Sequence, residues 1–540
     1  MKKMKVVLCV LLAVALVPGL LSGCGSPVQN ETDSVFRVGG ITVDTLSPLT
    51  AYVSGSLELF NLIYDPLVRF DENWEPTPCL AESWEVDDTG LVWTFHLVKN
   101  AKWHDGEPVT SADVKFTYNL MIDNEVGYSY SSYLDGYTDI SCPDDYTVVI
   151  TTSAPKADML RNPTPILPEH IWSKIPTDQL ALEPNDHPIG SGPFKFDSKD
   201  DANTNWKLVR NDDYFGPKPN LDAIVFIYYS SSDAMTQAIK LGEIDGFFAS
   251  EAAQMPALQS DPNIFAIGAK LPGFSQIGIN VAPDGTGNPL LRDKNIRYAM
   301  EYALDRQKIV DMVYYGEALP GSTIMSAVGG WQYDVPASDY RSYDIAKANA
   351  ILDAAGYTKR NAEGTRLAPD GSPLEFNMIY SADVAERGKI ASFLKSGCDQ
   401  IGIKINNSSI DKDAIADAIA NYSYDMFIWG WFEDVVPTPM LSILSEEELG
   451  ASNETGWTDP RYEELYKEQQ NELDQTARLA MIQEMQKIAY DGCQYIVVAY
   501  DDDIQAIRKD KWTGYIQIPK DGGIFTNNTY INYLNIKPVQ

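Results

Sequence analysis

Short runs of branched and aromatic residues alternate with capped helical segments along nearly the whole chain, and that alternation restricts the fold to the α/β class. Strands are expected at residues 35–38, 206–209, 224–228, 277–280, 376–380, 426–429 and 496–499. Trp93, Phe95 and Leu97 alternate with Thr94 and His96, the period of a sheet with one buried face. Asp293 can cap a helix whose apolar stripe is Ile296, Ala299, Met300, Ala303 and Leu304. A second helix runs from Asp344 to a stop at Gly356, and a third starts at Asp459 with Pro460 in its first turn. Ala477, Met481, Met485 and Ile488 line a fourth. A chain of 540 residues cannot serve one core, and turn-rich breaks at 184–193 and 282–289 divide it into blocks.

The N-terminus is of another kind. Lys2, Lys3 and Lys5 precede an apolar run over residues 6–17 that is too short to span a bilayer, the pattern of an export signal. It ends in Leu21-Ser22-Gly23-Cys24, which resembles the lipobox of bacterial lipoproteins. That resemblance implies a signal peptide over 1–23, cleavage before Cys24, and a diacylglyceryl thioether and acylated amine on Cys24. Several buried chains hold a protein at a membrane where one would not. Residues 24–33 are small and polar and read as a flexible tether. No later segment is apolar for long enough to cross a bilayer. The body is therefore expected outside the cytoplasm, held at the outer face of the cell membrane, or in a periplasm where an outer membrane exists.

The net charge of −34 opposes binding to nucleic acid and to anionic lipid. The acids are interleaved with 30 Tyr and 11 Trp, so the composition is that of a folded, acidic protein. Beyond Cys9 and Cys24, the thiols Cys79, Cys142, Cys398 and Cys493 lie far apart without metal spacing, and either disulfides or buried free thiols would fit. His96, His104, His170 and His187 form no metal-binding pair, and no cofactor is expected.

Leu80-Ala81-Glu82-Ser83-Trp84, then 93–97 and Trp103-His104-Asp105-Gly106-Glu107-Pro108-Val109-Thr110-Ser111-Ala112-Asp113-Val114, resemble the signature of the family 5 extracellular solute-binding proteins, the oligopeptide, dipeptide and nickel binding group of ABC importers. Gly190-Ser191-Gly192-Pro193-Phe194, Arg210 to Gly216, Gly242-Glu243-Ile244-Asp245-Gly246 and Arg297-Tyr298-Ala299-Met300 continue the likeness in register. These motifs read as architecture. Gly190 and Gly192 suit a tight turn, Trp84 and Trp93 a core, and His104 a turn or core position rather than a metal site.

The resemblance implies an α/β, two-lobe periplasmic-binding-protein-like fold of the large type II (cluster C) kind with an extra inserted subdomain. Lobe I would comprise 34–52, 183–281 and 497–540, the inserted subdomain 53–182, and lobe II 282–496. It also implies a monomer that takes a peptide between its lobes and passes it to ABC permease subunits.

The stretch from Met426 through Trp429-Gly430-Trp431-Phe432-Glu433-Asp434 to Thr438 ends a strand in aromatics and acids. In peptide-binding members a carboxylate after a similar tryptophan holds the ligand's α-ammonium, and Asp434 matches it. Thr438 before Pro439 is the better helix cap, which leaves Asp434 for the ligand. Trp429 and Trp431 are expected to be half core, half pocket wall. Tyr500, Tyr52 and Tyr130, the last crowded by Tyr128 and Tyr133, match cleft positions of relatives. Val435-Val436 depart from the peptide binders' pattern, so a non-peptide solute such as an oligosaccharide or chelated metal competes. An exported glycosidase would need a paired acid and base, and no pair stands out.

Overall fold

The computed structural model describes residues 34–270, 272–432, 436–518, 522–525 and 530–540. Cys24 and its flanking signal and tether lie outside the described residues, as does Asp434. Among the described residues no helix is long and apolar enough to cross a membrane.

The strand Tyr495–Arg508 organises the molecule. Its first part pairs antiparallel with Gly273–Ile279 and Ala318–Pro320, and its second part with Ile264–Lys270 and Gly246–Phe247. The sheet runs outward from it in two directions. One side continues through Met426–Phe432 and Glu375–Ser381 to Lys404–Ile410, the other through Val35–Gly39 and Ala223–Ile227 to Asn205–Arg210 and Phe194–Lys199. Each side has its own core. Phe36, Phe226 and Trp512 belong to one, Ile277, Phe376 and Met426 to another. This is the α/β organisation expected from the alternating signals.

A separate antiparallel sheet is formed by Ala81–Val86, Val92–Leu97, Thr147–Thr152 and Tyr137–Asp144. Burial along Val92–Leu97 alternates residue by residue, as the Trp93, Phe95, Leu97 pattern requires. The helix Ser111–Asn124 packs on this sheet and begins in a capping box. Asp113 accepts the backbone N–H of Thr110 at 2.8 Å, so part of the Thr110 to Val114 motif is a helix start.

Two further motifs meet at Asp65, which is fully buried. Its carboxylate accepts hydrogen bonds from Arg69 Nη2 (2.9 Å), Ser191 Oγ (3.0 Å) and Tyr214 Oη (3.1 Å), with the Cys79 thiol at 3.4 Å. Gly190 and Gly192 flank Ser191 for a reason other than the turn expected. Neither has positive φ, and a Cβ at Gly190 would stand 1.8 Å from the carbonyl oxygen of Ile63. They let two backbones touch. His104 is the core histidine the sequence suggested: Nδ1 accepts from Gly190 N–H at 3.2 Å and Nε2–H donates to Gly192 C=O at 3.1 Å. Burial lowers its pKa to about 4, so the ring stays neutral.

Helix capping by Asp293, Asp344 and Asp459 is found where expected. The helix Gln475–Gly492 presents a different face from the one read from its apolar stripe. It buries Arg478, Ile482, Met485, Gln486 and Ala489, whereas Ala477, Met481 and Ile488 are only partly covered. The reason is that the buried face is partly polar. Arg478, with no exposed side-chain surface, forms a two-pronged ion pair with Asp158 at 2.6 and 2.8 Å. Thr438 belongs to this network and is not the cap expected. The helix Pro437–Ser442 starts two residues earlier than that cap would set, and Thr438 Oγ1 donates to Asp158 at 2.8 Å. Cys79, Cys142, Cys398 and Cys493 are all free thiols.

Removing one partner of a buried ion pair strands the other. Asp65→Asn should therefore destabilise the protein by about 3 kcal/mol or more in denaturant unfolding, since Arg69 would keep its charge without compensation. A loss below about 1 kcal/mol would mean that Asp65 does not hold these segments together.

Candidate functional site

Three adjoining cavities flank the crossing strand where the two sides of the sheet meet. One of about 760 Å³ is walled by Leu57 and Glu58 of the helix Ser54–Ile63, by Phe70 and Trp74, by Tyr130 and Tyr133, and by Phe525, with Phe432 entering from the other side. A second of about 530 Å³ lies against Trp429, Trp431, Tyr314, Arg387 and Asp501. The two share Ala249, Pro272, Phe432 and Asp503. A smaller one of about 260 Å³ is bounded by Ser322, Tyr500 and Asp502. The first is large enough for a ligand of several residues' bulk and lined as such sites usually are, by aromatics with a few polar groups.

Trp429 and Trp431 stand on the wall of the second cavity, each partly buried. The Arg387 guanidinium lies 4.7 Å from the Trp429 ring, a cation–π contact. Trp431 donates its indole N–H to Glu454 at 3.1 Å, so one edge of the ring is committed to the interior. Glu454 also accepts from Tyr495 Oη at 2.8 Å. Tyr52 is 71% exposed at the rim of the largest cavity, while Tyr130 is buried in its wall and Tyr128 lies outside it, in solvent. Tyr500 borders the smallest cavity, but its hydroxyl is occupied: it accepts from Thr323 N–H at 2.9 Å and donates to Thr323 C=O at 2.7 Å. It shapes the cavity through its ring. The sixth candidate, Asp434, falls in the undescribed segment directly after Phe432.

Sequence reasoning passed over the acids of the cleft. Asp501, Asp502 and Asp503 are consecutive on the crossing strand, and Glu58 interrupts the apolar run of the first helix. Both patterns were visible, an acidic triplet inside a strand and a lone acid on a core-facing helix. Burial is the main cause that pushes their carboxyls up: Glu58 to about 8, Asp503 to about 7, Asp502 to about 6, and likewise Glu454 to about 7. For Asp503 the neighbouring charges of Asp501 and Asp502 add to burial, whereas Lys270 offsets part of the effect on Asp502.

Residues 75–447 match the family described as bacterial extracellular solute-binding proteins, family 5 middle. A putative ABC transporter peptide-binding protein of Brucella ovis is 34% identical over 373 residues, which is 68% of this chain and 66% of that protein. The oligopeptide-binding protein AppA of Bacillus subtilis is 26% identical over 550 residues, 96% of this chain and 98% of its own. In three dimensions, a periplasmic oligopeptide-binding protein of Thermotoga maritima superposes with a TM-score of 0.83 at 22% identity, over 94% of this chain and 100% of that one. The fold is thus the two-lobe α/β fold of periplasmic binding proteins. The chain belongs to the family 5 extracellular solute-binding proteins, a family that binds solutes and is not one of enzymes.

The raised carboxyls set a pH dependence. Between their ordinary values near 4 and their values in the fold, the native state holds protons that the unfolded chain has lost, so stability must fall as pH rises. His104, neutral above about pH 4 in the fold, no longer contributes above its ordinary value of 6.5. The melting temperature should therefore drop between pH 6.5 and 8.5, and Glu58→Gln combined with Glu454→Gln should flatten the slope. A slope unaltered by both substitutions would assign it to other groups.

Proposed function

We propose that this chain is the substrate-binding lipoprotein of an ABC importer, which captures oligopeptides or dipeptides between its lobes and delivers them to the membrane permease. The observation that carries this reading is the largest cavity: roomy, aromatic-walled, and adjoining the strand Met426–Phe432 that leads to Asp434. The names of relatives that bind peptides support the same class. In this reading Asp434 pairs with the ligand's α-ammonium, in a closed site where a desolvated ion pair is strong. Trp429, Trp431, Tyr52, Tyr130 and Tyr500 wall the space for backbone and side chains. Extended peptide backbone would bond to exposed strand edges, and roomy cavities would accept varied side chains.

The accompanying domain scheme has lobe I over 34–52, 183–281 and 497–540, the inserted subdomain over 53–182, and lobe II over 282–496. Closure about the connecting strands is a population shift toward the closed form when ligand bridges both lobes. The acylated Cys24 and the tether of 24–33 keep the monomer at the membrane, where a high effective concentration at the permease favours repeated delivery.

Mass spectrometry of small molecules released from the purified protein should find short peptides, and a thermal-shift screen should find stabilisation by peptides and none by oligosaccharides. Stabilisation by sugars alone would overturn the peptide reading. Asp434→Asn should weaken peptide binding by about 2 kcal/mol, roughly 30-fold, in calorimetric titration. Unchanged affinity would remove Asp434 from the site.

A further inference from the structure

The helix Ser54–Ile63 turns Gly55, Ser56, Glu58, Leu59, Phe60, Leu62 and Ile63 toward the interior, and Glu58 is the one charged residue among them. It is 3% exposed and borders the largest cavity. Its Oε2 makes no hydrogen bond, and no Lys or Arg among the described residues forms an ion pair with it. Its polar neighbour is the Tyr533 hydroxyl, which likewise lacks a hydrogen bond of regular geometry. Such a carboxyl is costly to bury and remains short of a partner.

Among the described residues two bases border the same cavity, and neither forms an ion pair with Glu58. Arg161 donates to the carbonyl of Trp74 at 3.3 Å and lies over the rings of Phe70 and Trp331, while Lys270 opposes Asp502 across the strand pair. Asp503 adds a second acid to the cavity wall. The same wall carries Phe70, Trp74, Tyr130 and Phe525. A cavity walled by aromatics and bordered by the carboxyls of Glu58 and Asp503 matches one kind of group: an aliphatic stem with a cationic head. No three His, Cys, Asp or Glu among the described residues converge as a metal cage would need, whereas aromatic walls suit the stem and head of an organic cation.

We propose that Glu58 is the base of a side-chain subsite for lysine or arginine, and that this chain selects cationic peptides. The inference rests on the peptide reading above and narrows it to a substrate class. With its pKa near 8, Glu58 carries a proton at neutral pH when the subsite is empty. An arriving ammonium or guanidinium restores the ionised form, and the displaced proton passes to solvent.

The test uses matched peptides of two to five residues in which one lysine is replaced by norleucine, which keeps most of the stem and removes the charge. Calorimetric titration of the full-length protein should give at least about tenfold tighter binding for the lysine peptide. In Glu58→Gln the ratio should collapse to about threefold or less, through weaker binding of the lysine peptide. Titration at pH 7 in two buffers of different ionisation heat should show proton release for the lysine peptide and none for norleucine. Equal affinity of the two peptides in the unmodified protein would overturn the subsite while leaving peptide binding intact. A ratio that survives Glu58→Gln, or absent proton release, would remove Glu58 from it. Failure of both peptides to bind, with no peptide recovered from the purified protein, would overturn both readings together.

Discussion

One strand has to satisfy both sides of a sheet. Tyr495–Arg508 completes the hydrogen bonding of one side with its first residues and of the other with its last, so neither side can form its final edge without it. The point of change lies near Asp501 to Asp503, and that is where the cavities meet. Cleft and connection are thus the same piece of backbone. Charged groups would not ordinarily be placed in mid-sheet, and their presence there is understandable only because the strand passes through a gap between cores.

The connecting strand is braced from one side by buried arginines. Arg306 donates to the carbonyl of Val497 at 2.7 Å and pairs with Glu301 at 2.6 Å, and Arg341 holds the other oxygen of Glu301. Arg297 takes the carbonyls of Gly492 and Cys493 just ahead of the strand. The Arg297 to Met300 motif noticed in the sequence therefore acts on a segment nearly 200 residues away.

Much of the fold was legible because it is written locally. Alternation located Val92–Leu97, aspartate caps located the starts of three helices, and branched runs located most strands of the large sheet. What stayed hidden depends on distant partners. Nothing near Arg478 in the sequence shows that Asp158 stands opposite it, and Thr438 reads as a cap for the same reason. Gly190 and Gly192 look like turn residues because sequence cannot show another backbone pressed against them. At the candidate site, aromatics announced the walls: Trp429, Trp431, Tyr52, Tyr130 and Tyr500 all border cavities. Acids did not announce themselves in the same way, since in a chain this acidic one more carboxylate is unremarked until its burial is known.

Arg478 and Asp158 are 320 residues apart, and they meet with Thr438 and Gln469 around a guanidinium that has no exposed surface. Any motion that parts these two segments must let water reach the guanidinium as it leaves the carboxylate. The two prongs have to break in quick succession, and the intermediate with bare charges is the least favourable point on the way. Such a contact costs more to break than its two hydrogen bonds suggest, because a guanidinium left buried without its carboxylate is strongly destabilising, so the two segments hold together as one.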